Sequence, residues 1–144
     1  MSALARGAGR LRMRLAAPSL PERLKDIRAQ VARWANRLGL SADAVDDIVL
    51  ATHEALSNVA DHAYPDGEGD AELDAACEDG EVRVVVRDNG RWRTPSHDPG
   101  WRGHGLVLIE GLAEHVDVHH AAAGTSIAMR WHLPDAGKAR RAGA

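Results

Sequence analysis

The sequence predicts an α/β protein, specifically an α+β two-layer sandwich in which helices cover one face of a mostly antiparallel, mixed sheet. Three observations carry that expectation. Apolar and polar residues alternate near both ends of the chain, in Arg10-Leu-Arg-Met-Arg-Leu15 and again from Thr125 to Leu133. Two segments between them repeat their apolar residues at helical spacing, Leu24 to Leu38 and Val45 to Ala60. The resulting order, βααββαββ, leaves helical stripes that one sheet face can bury.

Each element has a local cause. In Arg10 to Ala16 the residues Leu11, Met13 and Leu15 share one face of a strand, which Pro18-Ser19-Leu20-Pro21 breaks. A helix follows from about Pro21 to Leu38, with Leu24, Ile27, Val31, Trp34 and Leu38 inward and Gly39 as its stop. Ser41 can cap a second helix, whose stripe is Val45, Ile48, Val49, Thr52, Leu56, Val59 and Ala60. Pro65-Asp66-Gly67 ends it. Leu73, Ala75 and Cys77 alternate in the next strand, Glu78 to Glu81 turns, and Val82 to Arg87 forms its partner. Arg91 to Arg102 has no apolar period and two prolines, which predicts a mobile loop. Gly105 to Glu114 is expected to be a third helix with Leu106, Leu108, Ile109 and Leu112 inward. A strand near Val116 to His119, a turn at Ala121 to Gly124 and a strand with Thr125, Ile127, Met129, Trp131 and Leu133 on one face complete the set. The expected organisation is a flexible N-terminus (1–9), one domain (10–134) and a flexible tail (135–144).

Composition narrows the function classes. At 144 residues, 44% hydrophobic and 27% charged, the chain suits one soluble domain. The formal charge of −3 argues against a general nucleic-acid binder, and the aromatics, only 3%, are too scattered for a base-stacking platform. Cys77 is the sole cysteine, so neither an internal disulfide nor a multi-cysteine zinc site is available. No apolar run reaches the roughly 20 residues of a spanning helix. Met1 to Ala17 is basic but lacks the apolar stretch of a secretory signal, so the strand reading is preferred there. A reducing cytoplasm is the expected location.

Four segments carry possible chemistry. Glu54, Asn58, Asp61 and His62 stand at i, i+4, i+7 and i+8, one polar stripe opposite the apolar arc of the second helix. Asn58 offers the neutral oxygen that Mg²⁺ accepts beside phosphates and water, and Glu54, one turn away, could orient or deprotonate a nucleophile. The plainer alternative is a solvated helix face. Asp88-Asn89-Gly90 places a carboxylate at a strand end before a glycine turn, able to accept from an adenine amino group or simply to end the strand. Arg102-Gly103-His104-Gly105-Leu106 precedes a helix, where glycines and free N–H groups suit phosphate and Arg102 can add charge, unless it is an ordinary linker. Its spacing is neither a Walker loop nor a dinucleotide-binding fingerprint. Gly124-Thr125 opens the last strand, with a hydroxyl that could bond a base or reach Asp88 through water. His119-His120 could suggest metal, but strand neighbours face opposite ways, so a surface strand is expected. Trp34 and Trp131 read as core; Trp92 and Trp101 flank the loop.

Taken together, in this order, the segments resemble the ATP-binding family of gyrase, the heat-shock chaperone, histidine kinases and mismatch-repair ATPases, the histidine-kinase-like ATPase or Bergerat fold. The likeness is nearer to its bacterial regulatory branch, the anti-sigma factor serine kinases. Glu54-Ala-Leu-Ser-Asn58-Val-Ala-Asp61-His62-Ala-Tyr64 resembles their first box, and Gly103-His104-Gly105-Leu106-Val-Leu-Ile109 their second glycine box. The segment after Gly90 runs Arg-Trp-Arg-Thr-Pro where many members continue with glycines. The resemblance spans roughly Arg10 to Leu133. It implies ATP held under a lid, Asn58 on Mg²⁺ and Glu54 as catalytic base. Asp61 and His62 would line the phosphate pocket, with Asp88 and Gly90 at adenine. Arg102 and Gly103 to Leu106 would wrap the phosphates, and Thr125 would support the base.

The activity so implied is phosphorylation of an anti-sigma factor antagonist protein, alternating with sequestration of a sigma factor, in a chain that could dimerise and has no direct nucleic-acid or membrane partner. Two alternatives use the same pocket: an ATP-dependent partner switch with little phosphoryl transfer, and the ATP-binding domain of a larger regulator. The catalytic domain of a histidine kinase is a weaker fit, because no phosphoacceptor helix precedes Arg10.

Overall fold

Strand β1 (Arg10–Ala16) opens the computed structural model, which describes residues 9–64, 69–90 and 104–133. A 3₁₀ turn over Ala17–Ser19 leads into α1 (Leu20–Arg37), then α2 (Ala42–Asn58), whose Ser41 cap accepts the Ala44 N–H at 3.1 Å as expected. The helical winding of α2 widens into a π turn over Val59–Ala63. Strands β2 (Asp70–Glu78) and β3 (Glu81–Asp88) form a hairpin through Asp79 and Gly80. Both turn residues have positive φ, 52° and 74°, the Asp-Gly chemistry that a tight two-residue hairpin requires. Helix α3 (His104–Leu112), β4 (His115–Ala121) and β5 (Gly124–His132) follow. The termini, Pro65-Asp66-Gly67, the segment expected to be a mobile loop and both of its tryptophans lie outside the described residues.

The sheet order is β1-β2-β3-β5-β4, and each described pairing is antiparallel. Its register sorts the inward residues into rows across the strands. Leu11, Ala75, Val84, Met129 and Val116 make one row, and Met13, Leu73, Val86, Ile127 and Val118 the next. Apart from Val118, which is exposed at the edge, these meet the helices in a single core with Ile27, Val31, Trp34, Ile48 and Leu56, all at most 1% exposed. Trp131 closes one end, its indole N–H donating to the Leu112 carbonyl at 2.9 Å. Large side chains so buried each contribute about 1.5–3 kcal/mol.

Two packing expectations change. Helix α2 touches both α1 and α3, so Ala51 and Ala55 are fully buried beside the expected stripe. Alanine carries little pattern weight, and its small size lets a second helix approach. On α3, Leu108 is 38% exposed instead of inward, because Leu106, Ile109 and Ala113 already occupy the face toward the core. Among the described residues no helix is long and apolar enough to cross a membrane.

Candidate functional site

A further row of the sheet turns polar over its last three strands. Leu15, Ala71, Asp88, Thr125 and His120 oppose one another across β1, β2, β3, β5 and β4. Asp88 and Thr125 are 6% and 5% exposed, and with Thr52 they are the buried polar or charged side chains among the described residues. Thr52 bonds its own helix, donating to the Ile48 carbonyl. Asp88 and Thr125 stand instead where the strands end.

Backbone converges on that row because side chains are missing from it. Asp88 Oδ1 accepts the Gly90 N–H at 2.9 Å, a turn that aims the carboxylate back over its own strand end. A Cβ at Gly90 would lie 2.0 Å from the Ala63 carbonyl oxygen, so only glycine lets the π turn rest on this segment. Gly124 has φ +143°, and its Cβ would meet the Asp88 carbonyl oxygen at 2.0 Å. Three chain segments, the π turn after α2, the end of β3 and the start of β5, therefore meet backbone to backbone.

Tyr64 ties the junction. Its hydroxyl donates to the Asp70 carbonyl and accepts the Asn89 N–H at 2.8 Å, and its ring covers Gly69 so closely that a Cβ there would overlap it. Burial raises the phenol pKa, only partly opposed by the Asn89 N–H, which keeps the hydroxyl protonated and able to donate.

His120 Nδ1 lies 2.9 Å from Thr125 Oγ1. Desolvation lowers the imidazole pKa; the Asp88 carboxylate opposes that shift and His119 adds to it. The ring is accordingly neutral at pH 7. His119 points the other way, as strand alternation requires, and only His120 joins the polar row.

The sequence-expected residues distribute unevenly around this centre. Glu54 and Asn58 are half-buried on the last turns of α2. The α-helical line projected through Asp61 and His62 ends at Asn58, because the π turn winds differently: Val59 and Ala63 are buried, while Asp61 and His62 are exposed. Leu106 is 6% exposed in the core. His104 and Gly105 begin α3, their side-chain surroundings undescribed, and Arg102 and Gly103 lie outside the described residues. Tyr64 and His120 were not among the expected site residues. For His120 the signal existed: counting back through the tight turn after Ala121 pairs it with Thr125.

The cavities do not by themselves mark this site. One of about 390 Å³ lies on the uncovered sheet face, between Arg10, Asp74, Glu81 and Arg83. One of about 240 Å³ touches Asp88, Asn89, Gly124 and Thr125, but its remaining walls include Glu72, Arg87 and Ser126. Those side chains point away from the helices, so it opens on the outer side. The close backbone packing that Gly90 and Gly124 permit around the strand end bearing the buried Asp88 is the stronger indication. As for a metal, no group of three or more His, Cys, Asp or Glu among the described residues could hold an ion. An amide oxygen such as that of Asn58 fits Mg²⁺ only if phosphates and water supply the other ligands.

Comparison with known proteins bears on this geometry. The family model described as the histidine kinase-like ATPase domain matches residues 17–131. A protein of Bacillus subtilis named serine-protein kinase RsbW is 30% identical over 132 residues, covering 81% of this chain and 82% of its own length. Its namesake in Halalkalibacterium halodurans is 31% identical over 127 residues, 78% of this chain and 77% of its own. A crystal structure of the RsbU and RsbW domains of a Mycobacterium tuberculosis protein superposes with a TM-score of 0.69 at 28% identity. It covers 85% of this chain, which spans 32% of that longer chain.

Proposed function

The chain belongs to the histidine kinase-like ATPase domain family, and from that premise we propose that it is an ATP- and Mg²⁺-dependent protein serine kinase acting on an anti-sigma factor antagonist. The single observation that carries the reading is the junction at Asp88. A buried carboxylate stands at a strand end whose backbone packs, through Gly90 and Gly124, against the π turn that follows the helix bearing Glu54 and Asn58 and against the start of β5. The relatives' names, serine-protein kinase, support the reaction class.

In this reading Asp88 accepts from the adenine amino group, with Gly90 and Thr125 shaping the base end. Asn58 would offer its amide oxygen to Mg²⁺, which would supply charge neutralisation to the phosphates when bound. Asp61 and His62 flank the phosphates. Arg102, Gly103, His104, Gly105 and Leu106 enclose them, an assignment that rests on sequence alone. Glu54 accepts the proton of the incoming serine hydroxyl as the serine oxygen bonds to the γ-phosphorus and ADP departs. The protein would work in the cytoplasm and exchange the antagonist for a sigma factor, and a homodimer is compatible with either role.

Transfer of labelled phosphate from ATP to candidate antagonist proteins tests the proposal. Glu54→Gln keeps the shape and loses the basicity. It should bind Mg-ATP within about threefold of wild type yet transfer at least about 100-fold more slowly. Asn58→Ala should lose the Mg²⁺ dependence of binding. Wild-type transfer by Glu54→Gln would remove that residue from the chemistry. A wild-type protein that binds ATP and transfers nothing to any antagonist would overturn the kinase reading.

A further inference from the structure

We propose that the basic stretch 134–144 folds back on its own domain and occupies an acid-rimmed apolar groove at the end of the sheet opposite Asp88. The contact is made within one chain and is independent of the nucleotide site.

The groove is a cavity of about 340 Å³ between the start of α2, the end of α3 and the end of β5. Val82 and Trp131, cross-strand partners, form its floor, six residues along β3 from Asp88 or about 20 Å away. Leu40, Ile48 and Leu112 add apolar walls. The rim is acidic, with Asp43 and Asp47 from the first turns of α2 and Glu114 beyond α3, and no lysine or arginine is among the described residues that line it. Glu114 also accepts the His132 N–H. Burial, then the like charges of Asp43 and Asp46, raise the Asp47 pKa. Each charge felt there is negative, so a cation arriving at this rim is favoured.

The chain supplies cations within reach. Leu133 lines the groove, its N–H donating to the Gly80 carbonyl at 2.7 Å, and the sequence after it carries Lys138, Arg140 and Arg141 against one acid, Asp135. Pro134 has no N–H to continue the β5 ladder, and Gly137 eases a reversal. At about 3.3–3.6 Å per extended residue, Lys138 reaches up to about 18 Å from Leu133 and Arg141 up to about 29 Å. Leu133 and Asp43 border the same cavity, so the rim lies inside that radius. Lysine and arginine lay their methylene stems on apolar surface while the charged head stays at the rim. Each exposed ion pair is weak, but tethering gives an effective concentration on the order of millimolar, and several such pairs act together.

NMR of the full chain tests this, with backbone relaxation read along residues 134–144 and amide signals read in the groove. At about 0.01 M salt the stretch should tumble with the domain. About 1 M salt, which shortens the screening length from about 30 to about 3 Å, should release it. Asp43→Asn with Asp47→Asn should release it without salt. Lys138→Gln with Arg140→Gln and Arg141→Gln should shift the signals of residues 40–48 and 112–114, raise the Asp47 pKa further and leave residues 88–90 in place. Amide exchange over residues 43–48 should quicken about twofold to fivefold in that variant. The salt titration needs no substitution, so a variant that fails to fold still leaves an answer. Relaxation along 134–144 that ignores both salt and the paired Asp→Asn change would overturn the proposal. So would groove signals that follow Arg6→Gln instead, which would give the groove to residues 1–8, or signals that move on dilution, which would give it to a second copy of the chain.

Discussion

Gly90→Ala probes the junction most directly. The backbone at Gly90 does not sit in the left-handed region, so alanine meets no φ penalty there, and the whole effect comes from contact. The added methyl would stand 2.0 Å from the Ala63 carbonyl oxygen, 2.5 Å from its carbon and 2.8 Å from Ala63 Cβ. Real methyl groups do not approach backbone within 3.0 Å, so the π turn or the β3 exit must retreat by about 1 Å. Neither can do so freely. Ala63 is fully buried, and Gly90 is held by its N–H bond to Asp88. Overpacking of this kind costs about 1–3 kcal/mol, which for a domain of this size lowers the melting temperature by roughly 3–12 °C. The same displacement pulls the Gly90 N–H off Asp88 Oδ1 and releases the carboxylate from its fixed direction. ATP affinity should then fall at least about tenfold, the weight of one charge-assisted hydrogen bond and its geometry. Differential scanning fluorimetry with and without nucleotide reads both quantities. A variant with wild-type melting temperature and wild-type affinity would refute the contact between the π turn and the β3 exit, and with it the reason for placing the site there.

Gly111→Ala is the contrasting case: nothing lies within 4 Å of a Cβ there and the residue is helical. It should raise stability by about 0.5–1 kcal/mol in a denaturant melt, and a loss would mean that α3 packs differently. Tyr64→Phe removes a donor to Asp70 and an acceptor for Asn89, and should cost about 1–2 kcal/mol of stability together with nucleotide affinity, measured by urea titration and calorimetry. Arg10 bonds Asp74 through two nitrogens at 3.2 and 2.9 Å, and this pairing holds the Asp74 pKa below its ordinary value. A depressed carboxyl pKa stabilises the folded chain above the unfolded value, and that contribution disappears as pH falls through the folded one. The difference in denaturant midpoint between wild type and Arg10→Met should therefore be small, present at pH 7 and gone in acid; a difference that grew as pH fell would contradict the pairing.

Sequence alone determined the parts of this protein whose causes are local. Alternation in Arg10 to Ala16 and Thr125 to Leu133 named two strands and their inner faces, because a strand has period two whatever it pairs with. Ser41 announced a helix start and Glu78 to Glu81 a turn, since a cap and a turn are each decided within four residues. The residues Glu54, Asn58 and Asp88 stood out as chemistry that a core does not need. Only the tertiary structure decided what lies next to what. The α-helix that the stripe through Asp61 and His62 assumes gives way to a π turn after Asn58, where Tyr64 and Gly90 fasten the chain to β2 and β3. Ala51 and Ala55 became core because two helices flank α2, which no pattern of small residues reveals. His120 entered the polar row through a register shared by three strands and fixed by side chains far apart in sequence. Period and propensity act over a few residues; register and contact across the sheet depend on which faces the whole chain can bury at once.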